Sequence, residues 1–407
     1  MLDVIERLID KNDSKLVLCV LDGLGGLTVS GKTELEAAAT PNLDILAQKS
    51  ATGLHFPVEM GITPGSGSAH LGLFGYDPLQ YEIGRGVLEA LGLGLDITKH
   101  DIAIRGNFCT VEYQGETPIV LDRRAGRIST EENQRITKRI GEQISEIDGV
   151  RIKIASGLEH RFVLVLRFPQ PLETGADAIG DTDPQAVGKS PYQPEALDSK
   201  AEQASDILTK FIEKAAAIIK DEEKANYFLL RGVSTHPKLR GYSEVYGLKS
   251  AVIVSYPMYR GVARLVGMDV LKVRGTGIGD EIDTLEREYQ SYDFFFLHIK
   301  KTDSYGEDGN FEGKAGVIEE FDSLLPRITA LNPDVLVITG DHSTPALMKS
   351  HSWHPVPLLL ASRYVIGGLS GAFSERECIK GELGSFRAVN LMPLMLANSL
   401  RLKKFGA

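Results

Sequence analysis

The chain has 407 residues, 43% of them hydrophobic and 25% charged, with a formal net charge of -10 at neutral pH. Its acidic character argues against non-specific binding to nucleic acid or anionic membranes. No apolar run reaches the roughly 18–20 residues that cross a bilayer. Cys19, Cys109 and Cys378 lie far apart, which excludes a disulfide framework and a cysteine-based zinc site. The acidic N-terminus lacks the basic start and apolar core of a signal peptide, so we expect a cytoplasmic protein.

The first predicted strand, LVLCVLD (16–22), is followed by a match to the phosphate-loop pattern, GLTVSGKT (26–33). In a nucleotide-binding loop, Lys32 would contact phosphate oxygens and Thr33 a magnesium ion. That loop leads into a long helix, but here Pro41 ends any helix after about two turns. An ordinary loop followed by a short helix is therefore the better interpretation of this segment.

The middle of the chain has a different pattern from its ends. VRIKIASGLEHRFVLVLRF (150–168) predicts a hairpin of two strands around Gly157. The segment 169–194 is rich in Pro, Gly and Asp and predicts a loop. We therefore expect a smaller α+β domain at 101–219, inserted into a discontinuous domain formed by 1–100 and 220–407.

The C-terminal half contains four more apolar runs that are typical of buried parallel strands. They are SAVIVS (250–255), DFFFLHI (293–299), DVLVITGD (334–341) and PVPLLLAS (355–362). Between them, residues 311–328 repeat apolar side chains at close to 3.6 residues, which predicts a helix. This alternation predicts an α/β fold in which helices sandwich the sheet.

Acidic and histidine residues end or follow three of these predicted strands. They are Asp22, Asp303, Glu307, Asp341, His342 and His351. Because the carboxyl ends of parallel strands meet at one edge of a sheet, we expect these side chains to share one crevice. Taken singly, each is as well explained as a turn former, a cap or a core histidine. Together they suit two ions of Mn²⁺, Zn²⁺, Co²⁺ or Mg²⁺ better than Ca²⁺.

Several motifs resemble those of the alkaline phosphatase superfamily and, more closely, the archaeal-type cofactor-independent phosphoglycerate mutases. They are VLDGLGG, TPNLD (40–44), PGSGSAHLGLFGYDP, ITGDHSTP (338–345), HSWHPVP, IRGNFCTV (104–111), LDRRAGRI (121–128), DTDP (181–184), LLRG (229–232), YRGVARLVGMDV (259–270) and KKTDSYGEDGNFEGK (300–314). The resemblance covers almost the whole chain. It implies an alkaline-phosphatase-like fold with an inserted domain that closes over the substrate.

The resemblance also assigns roles to the residues at the strand ends. It makes Ser66 the nucleophile and places one metal ion on Asp22, Ser66, Asp341 and His342. The second ion falls on Asp303, Glu307 and His351, although the better-known mutases usually have histidine at the position of Glu307. A glutamate is a harder, more anionic ligand, which favours Mn²⁺ or Mg²⁺ over Zn²⁺. His354 is a further candidate for a metal ligand, but a surface or supporting role is the better interpretation.

Arginines suit a substrate that carries phosphate and carboxylate, because the planar guanidinium pairs with both groups in a bidentate manner. The resemblance suggests several arginines and one neighbouring aspartate as substrate-binding residues. They are Arg105, Asp122, Arg123, Arg124, Arg127, Arg231 and Arg260. Asp122 either shuttles a proton or holds an arginine. Arg260 is a candidate substitute for a lysine that the better-known mutases carry near Met258. For each arginine, an ordinary salt bridge is the alternative. His70 is expected to support the loop of Ser66.

The implied function is the interconversion of 3-phosphoglycerate and 2-phosphoglycerate through a phosphoserine, in glycolysis and gluconeogenesis. It needs two divalent ions and no 2,3-bisphosphoglycerate. A metal-dependent phosphatase or phosphonate hydrolase would share every metal ligand and is the alternative. A more distant alternative is a nucleoside triphosphatase that acts through Lys32 and Thr33. The expected partner is the small-molecule substrate, not nucleic acid or membrane, and a homo-oligomer is left open.

Overall fold

The computed structural model describes residues 1–406. Its internal contacts divide the chain into two compact units, Met1–Glu82 with Leu239–Ala407, and Ile83–Lys238. We call these the sheet unit and the inserted unit. The boundaries therefore lie at 82/83 and 238/239, whereas the sequence placed them at 100/101 and 219/220. No helix within residues 1–406 combines the length and the apolar character needed to cross a membrane.

The strands of residues 1–406 are distributed over the whole chain. In chain order they are β1 (Leu16–Leu21), β2 (Ala51–Phe56), β3 (Asp101–Gln114), β4 (Thr117–Asp122), β5 (Glu146–Ile147), β6 (Val150–Ser156), β7 (Arg161–Arg167), β8 (Tyr227–Thr235), β9 (Ser250–Val254), β10 (Asp269–Val270), β11 (Phe294–Ile299), β12 (Val335–Thr339), β13 (Val356–Ser362) and β14 (Gly384–Arg387).

The α-helices of the same residues lie between these strands and at both ends of the chain. In chain order they are α1 (Leu2–Leu8), α2 (Glu34–Ala37), α3 (Pro41–Ala47), α4 (Ser66–Leu73), α5 (Arg85–Gly92), α6 (Thr130–Gln143), α7 (Glu202–Ile219), α8 (Tyr242–Tyr246), α9 (Pro257–Leu265), α10 (Ile278–Glu288), α11 (Lys301–Asp308), α12 (Phe311–Ala330), α13 (Glu375–Cys378) and α14 (Leu391–Asn398). The helix predicted over 311–328 is confirmed as α12.

The sheet unit is built on an eight-stranded sheet with the order β10-β9-β11-β1-β12-β13-β2-β14. β1 lies in the middle and pairs in parallel with β11 and β12. Every residue of β1 is buried because helices cover both faces of the sheet. On one face, side chains of α10 and α12 join the core of β1 and β11. On the other, Phe74 of α4 meets the ring of Phe296 at 4.9 Å.

One prediction about this sheet was wrong. The run at 355–362 forms β13, as expected, but β13 pairs antiparallel with both β12 and β2. A fully buried strand has the same continuous apolar composition in either direction. Its direction is determined by which distant strands it meets, and composition carries no signal for that.

The segment that matches a phosphate loop is a loop followed by a helix of only four residues, α2, as predicted. Thr33 caps this helix in a capping box with Glu36, and its hydroxyl donates to Glu375 at 2.7 Å. Lys32 is exposed, and Pro41 begins the next helix. Thr33 is therefore occupied in local structure, and no long helix follows to hold a nucleotide phosphate.

The inserted unit contains a second sheet with the order β4-β3-β7-β6-β5, and β8 pairs with β3. The hairpin predicted at 150–168 is confirmed as β6 and β7. The segment 169–194 contains no helix or strand, as expected. Helices α6 and α7 pack on one face of the sheet with an apolar core.

The position of the unit boundaries follows from how α5 and β8 pack. β8 pairs with β3 from Tyr227 to Thr235. In α5, Gly86 comes so close to β3 that an added Cβ would lie 2.0 Å from the Ala103 carbonyl oxygen. Both elements are thus integral parts of the inserted unit, although neither carries a sequence signal that assigns it there.

Candidate functional site

Three neighbouring strands of the sheet unit deliver the polar side chains predicted from their ends. Leu21 of β1 pairs with Ile299 of β11, and Val20 pairs with Thr339 of β12, so the three strands end at one level. The residues that follow them therefore emerge at the same edge of the sheet. Those that are almost completely buried there are Asp22, Asp303, Asp341 and His342. These four side chains thus lie close together at this edge of the sheet.

Asp22, Asp341 and His342 form the first group that could hold a metal ion. His342 Nε2 lies 3.3 Å from Asp22 Oδ1 and 3.2 Å from Asp341 Oδ2. These three atoms are buried and have no hydrogen-bond partner. Two ligands bound at about 2.1 Å to one ion lie about 3.0–3.4 Å apart. The buried, unpartnered atoms thus fit an ion in both chemistry and spacing.

Asp303, His342 and His351 form a second such group. The rings of His342 and His351 stack with centroids 3.7 Å apart, and His351 Nε2 lies 3.7 Å from Asp303 Oδ1. His351 Nδ1 donates to the Pro64 carbonyl at 3.0 Å, which leaves Nε2 free to ligate. Glu307 is more peripheral. Its side chain is 55% exposed, and Oε1 lies 3.9 Å from His351 Nε2.

The electrostatics of the cluster reflect its burial. Burial raises the pKa of the Asp341 carboxyl well above its ordinary value, and the charge of Asp22 adds to this. For Asp22, burial is outweighed by His298, His342 and Lys300, which hold its pKa well below the ordinary value. Burial lowers the pKa of His342 to about 3, so this imidazole is neutral at physiological pH. Neutral imidazole is the form that binds metals.

Ser66 begins helix α4, directly after Gly65. The first backbone N–H groups of a helix have no partner within it, and the helix dipole favours an anion at this end. His70 Nδ1 donates to the Ser66 carbonyl at 2.8 Å. His70 is buried, and its ring stacks on Tyr259 with centroids 4.2 Å apart. His70 thus contacts the backbone of Ser66, as expected for a supporting residue.

Three more side chains in this cluster escaped the sequence reasoning. The hydroxyl of Tyr259 donates to Asp22 Oδ2 at 2.7 Å. Lys300 Nζ lies 3.0 Å from the same oxygen and forms an ion pair with Asp303. His298 Nε2 is 3.3 Å from Asp22 Oδ2. With His70 and Asp341, His298 makes a third group of metal-ligand type.

The arginines of the inserted unit form a separate cluster. Arg105 of β3 is directly opposite Arg231 of β8. They line a cavity of about 230 Å³ together with Arg85, Asp181 and Gly232. Arg105 Nε is buried and has no hydrogen-bond partner. Burial lowers the pKa of Arg105, and the charge of Arg231 acts in the same direction. A small cavity lined by several guanidinium groups suits an anion.

Arg123 lies beside this cluster and pairs with Asp183 through two hydrogen bonds of 3.0 and 2.7 Å. Asp183 is also 3.4 Å from Arg231, so one buried carboxylate orients two arginines. The motif DTDP was noted in the sequence, but no role followed from it there. No sequence signal pointed to Arg85, because the short helix that carries it was not predicted.

The remaining predicted substrate-binding residues have other surroundings. Both oxygens of Asp122 accept backbone N–H groups, from Arg124 at 2.8 Å and Gly126 at 2.6 Å. Asp122 thus shapes a turn and contacts no arginine side chain in residues 1–406. Arg124 and Arg127 are exposed. In the sheet unit, the guanidinium of Arg260 donates to the Ser255 carbonyl.

His354 is set apart from the cluster. Its Nδ1 is 3.0 Å from the Ser352 hydroxyl, and its ring stacks on that of Trp353. It belongs to none of the three groups of metal-ligand type found among residues 1–406. This arrangement agrees with the supporting or surface role that was the better interpretation.

A sheet covered by helices on both faces, with carboxylates and imidazoles gathered at the ends of three neighbouring strands, defines an α/β protein with a candidate metal centre. The family model described as 2,3-bisphosphoglycerate-independent phosphoglycerate mutase matches residues 47–225. A protein of Aquifex aeolicus, whose name is probable 2,3-bisphosphoglycerate-independent phosphoglycerate mutase, is 61% identical over 407 residues and covers 100% of both chains. One of the same name from Thermus thermophilus is 50% identical and covers 99% of both.

Two solved structures agree with these relatives. A cofactor-independent phosphoglycerate mutase from Thermoplasma acidophilum is 30% identical with a TM-score of 0.78, covering 95% of this chain and 100% of that one. A protein from Pyrococcus horikoshii is 32% identical with a TM-score of 0.79, covering 98% and 100%. The chain therefore belongs to the 2,3-bisphosphoglycerate-independent phosphoglycerate mutase family.

Proposed function

We propose that this protein interconverts 3-phosphoglycerate and 2-phosphoglycerate through a phosphoserine at Ser66, beside a centre of two divalent metal ions. The observation that carries the proposal is the buried cluster at the strand ends of the sheet unit. The unpartnered atoms of Asp22, Asp341 and His342 in this cluster are spaced as ligands of one shared ion. Membership of the family suggests the mutase reaction. The cluster offers ligands for the metal ions that this reaction would need.

In the proposed centre, the residues of the cluster would hold two ions. Asp22, Asp341 and His342, with Ser66, would hold one, and Asp303, His351 and Glu307 the other. When bound, such ions lower the pKa of a serine hydroxyl and neutralise charge on a transferring phosphoryl group. Carboxylates with imidazoles suit Mn²⁺, Co²⁺, Zn²⁺ and Mg²⁺, and the carboxylate of Glu307 favours Mn²⁺ or Mg²⁺.

In the proposed reaction Ser66 is first the nucleophile and then the leaving group. The Ser66 hydroxyl loses its proton as its oxygen attacks phosphorus, the bond from phosphorus to the glycerate oxygen breaks, and that oxygen takes up a proton. Glycerate then reorients, its other hydroxyl loses a proton and attacks the phosphoserine, the bond from phosphorus to the Ser66 oxygen breaks, and Ser66 is reprotonated. The backbone N–H groups at the start of α4, which have no partner within the helix, would stabilise the negative charge of the phosphoserine. Because His70 holds the Ser66 carbonyl, the first turn of α4 keeps its direction throughout.

The arginines of the inserted unit would recognise the anionic groups of the substrate. Arg105 and Arg231 line the small cavity, and Arg123 is pre-oriented by its bidentate bond to Asp183. Bidentate pairing of this kind selects carboxylate and phosphate over neutral ligands. Exposed Arg124 and Arg127 are weaker candidates, and Arg260 would serve from the sheet unit. The closing role that the sequence assigns to the inserted unit stays a prediction.

Excluding water distinguishes this reaction from that of a phosphatase, because water at the phosphoserine releases inorganic phosphate. Phosphoglycerate isomers are intermediates of glycolysis and gluconeogenesis, and we assign the enzyme to these pathways in the cytoplasm. The mechanism gives 2,3-bisphosphoglycerate no role, since the transferred phosphoryl group returns to the glycerate that brought it.

The test is to incubate the protein with Mn²⁺ and 3-phosphoglycerate, without bisphosphoglycerate, and to follow products by phosphorus NMR. Ser66→Ala should abolish formation of 2-phosphoglycerate. Ser68→Ala is the matched control, because the Ser68 hydroxyl donates only to the Gly65 carbonyl in the same turn, at 2.9 Å. Full activity of Ser66→Ala would refute the phosphoserine. Free phosphate without 2-phosphoglycerate would identify a phosphatase instead.

A further inference from the structure

A single hydroxyl connects the two groups of proposed metal ligands. Thr344 lies on the loop after β12 and is completely buried. Its Oγ1 lies 2.7 Å from Asp303 Oδ1 and 2.9 Å from His342 Nδ1. Asp303 belongs to the second proposed metal site, and His342 to the first. Neither the sequence motifs nor the proposed reaction gives Thr344 a role.

The chemistry of these three groups determines the direction of both hydrogen bonds. An ionised carboxylate only accepts, so the one proton of the Thr344 hydroxyl points to Asp303. The hydroxyl oxygen must then accept from His342, which places the imidazole proton on Nδ1. This leaves the lone pair of His342 on Nε2, the atom that lies between Asp22 and Asp341 without a partner. The threonine thus fixes the tautomer in which Nε2 can ligate.

The position of this hydroxyl is itself rigidly determined. The Thr344 backbone N–H points to the carbonyls of Gly23 and Gly25, at 3.2 and 3.1 Å. Its own carbonyl accepts from the buried ammonium of Lys314 at 2.9 Å, and the same ammonium donates to the Gly25 carbonyl. Helix α11 packs so closely here that a Cβ on Gly306 would lie 2.3 Å from the carbonyl oxygen of Thr344.

We propose that Thr344 is a positioning residue shared by the two metal sites, which holds the Asp303 carboxylate and the His342 tautomer at once. The inference rests on the proposed two-metal function. Hydrogen bonds from groups behind the ligands fix ligand orientation and tautomer, and losing one typically weakens metal binding about 10–100-fold. Because one hydroxyl serves both sites, its loss should weaken the binding of both ions.

The experiment is isothermal titration of Mn²⁺ into protein stripped with chelator. Thr344→Val keeps the shape of the side chain but removes the hydroxyl, and we expect binding of both ions to weaken about 10–100-fold. Thr344→Ser keeps the hydroxyl and should bind within about threefold of the parent protein. If Thr344→Val does not fold, Thr344→Ala removes the hydroxyl without adding bulk.

Thr339→Val provides a close control. Thr339 is also completely buried, its hydroxyl donates to the Pro357 carbonyl at 2.8 Å, and it lies 3.0 Å from His55 Nε2. The Thr339→Val variant therefore loses the same kinds of hydrogen bond as Thr344→Val, but Thr339 contacts no proposed metal ligand. Its Mn²⁺ binding should equal that of the parent protein. Equal weakening in Thr339→Val and Thr344→Val would overturn the inference, because loss of packing would then explain both.

Two further outcomes separate this inference from the proposed function. Unchanged Mn²⁺ binding in Thr344→Val, while the parent protein binds two ions and Ser66→Ala is inactive, would overturn only the role of Thr344. A parent protein that does not bind two ions would overturn the proposed metal centre, and the role of Thr344 with it. If only one of the two ions binds more weakly to Thr344→Val, the role that Thr344 is proposed to have at both metal sites is refuted.

Discussion

Replacing Gly23 by alanine should damage the site and the fold together. Gly23 follows Asp22 directly and has a φ of +67°, in the left-handed region. A Cβ at this position would lie 2.6 Å from Thr344 Oγ1, 2.9 Å from Thr344 Cβ and 3.0 Å from Asp303 Oδ1. These neighbours are short and buried, so neither can swing away as the end of a long side chain could.

The magnitude follows from two separate costs. An alanine in the left-handed region costs about 1–2 kcal/mol relative to glycine. Forcing a methyl group into a packed interior costs about 1–3 kcal/mol more, so the free energy of unfolding should fall by about 2–5 kcal/mol. The methyl group also pushes the Thr344 hydroxyl and the Asp303 carboxylate apart. A misplacement of about 1 Å at a catalytic centre can reduce the rate about 100-fold.

The assay is urea denaturation of chelator-treated protein, paired with the mutase rate from phosphorus NMR. Gly368→Ala is the matched control in the same unit. Gly368 has a φ of +79° but no atom of residues 1–406 within 4 Å of an added Cβ, so only the conformational cost applies. Gly23→Ala should lose far more stability and rate than Gly368→Ala. If the two variants behave alike, close packing around Gly23 does not position the site.

Three more changes test other parts of the molecule. Burial raises the pKa of Glu281 from 4.5 to about 7. The folded state thus retains a proton that the unfolded state has lost, so stability falls by about 3 kcal/mol as pH rises from 4.5 to 7. Glu281→Gln should flatten this dependence in urea titrations at pH 5 and 7.5. Lys314→Met leaves Glu34, whose Oε1 lies 3.9 Å from the ammonium, as a buried charge. It should lower the free energy of unfolding by about 3–5 kcal/mol, and adding Glu34→Gln should restore part of that loss. Arg123→Lys loses the bidentate pair with Asp183, which is worth about 1.5–3 kcal/mol. It should therefore raise KM about 10–100-fold with kcat nearly unchanged in steady-state assays.

The strands and the site at their ends were predictable for the same physical reason. A strand buried on both faces must be apolar throughout, so the first polar residue after it marks the edge of the sheet. Asp22, Asp341 and His342 were found in this way. Lys300 carries the same signal, because it follows β11 directly, and could have been found by the same rule. Its residue type gives no such indication, because a lysine in a polar loop is usually solvated.

Other features had no local signal. Tyr259 reaches Asp22 from helix α9, which packs against α4, β9 and β10, and it is this tertiary packing that brings the two side chains together. Asp122 shows the opposite case. Its neighbours in the sequence suggested substrate binding, but its two oxygens satisfy backbone N–H groups of the following turn. Aspartate performs both tasks with the same atoms, so the surrounding sequence cannot separate them.

The balance of charge gives a physical reason for the glutamate at position 307. With two divalent ions bound as proposed, the carboxylates of Asp22, Asp303, Asp341 and Glu307 would neutralise them. The ammonium of Lys300 is then the excess positive charge, and it lies against Asp22 and Asp303, one ligand of each ion. A neutral histidine in place of Glu307 would raise the charge of the centre by one. In the proposed centre, the charges of Glu307 and Lys300 would therefore offset each other.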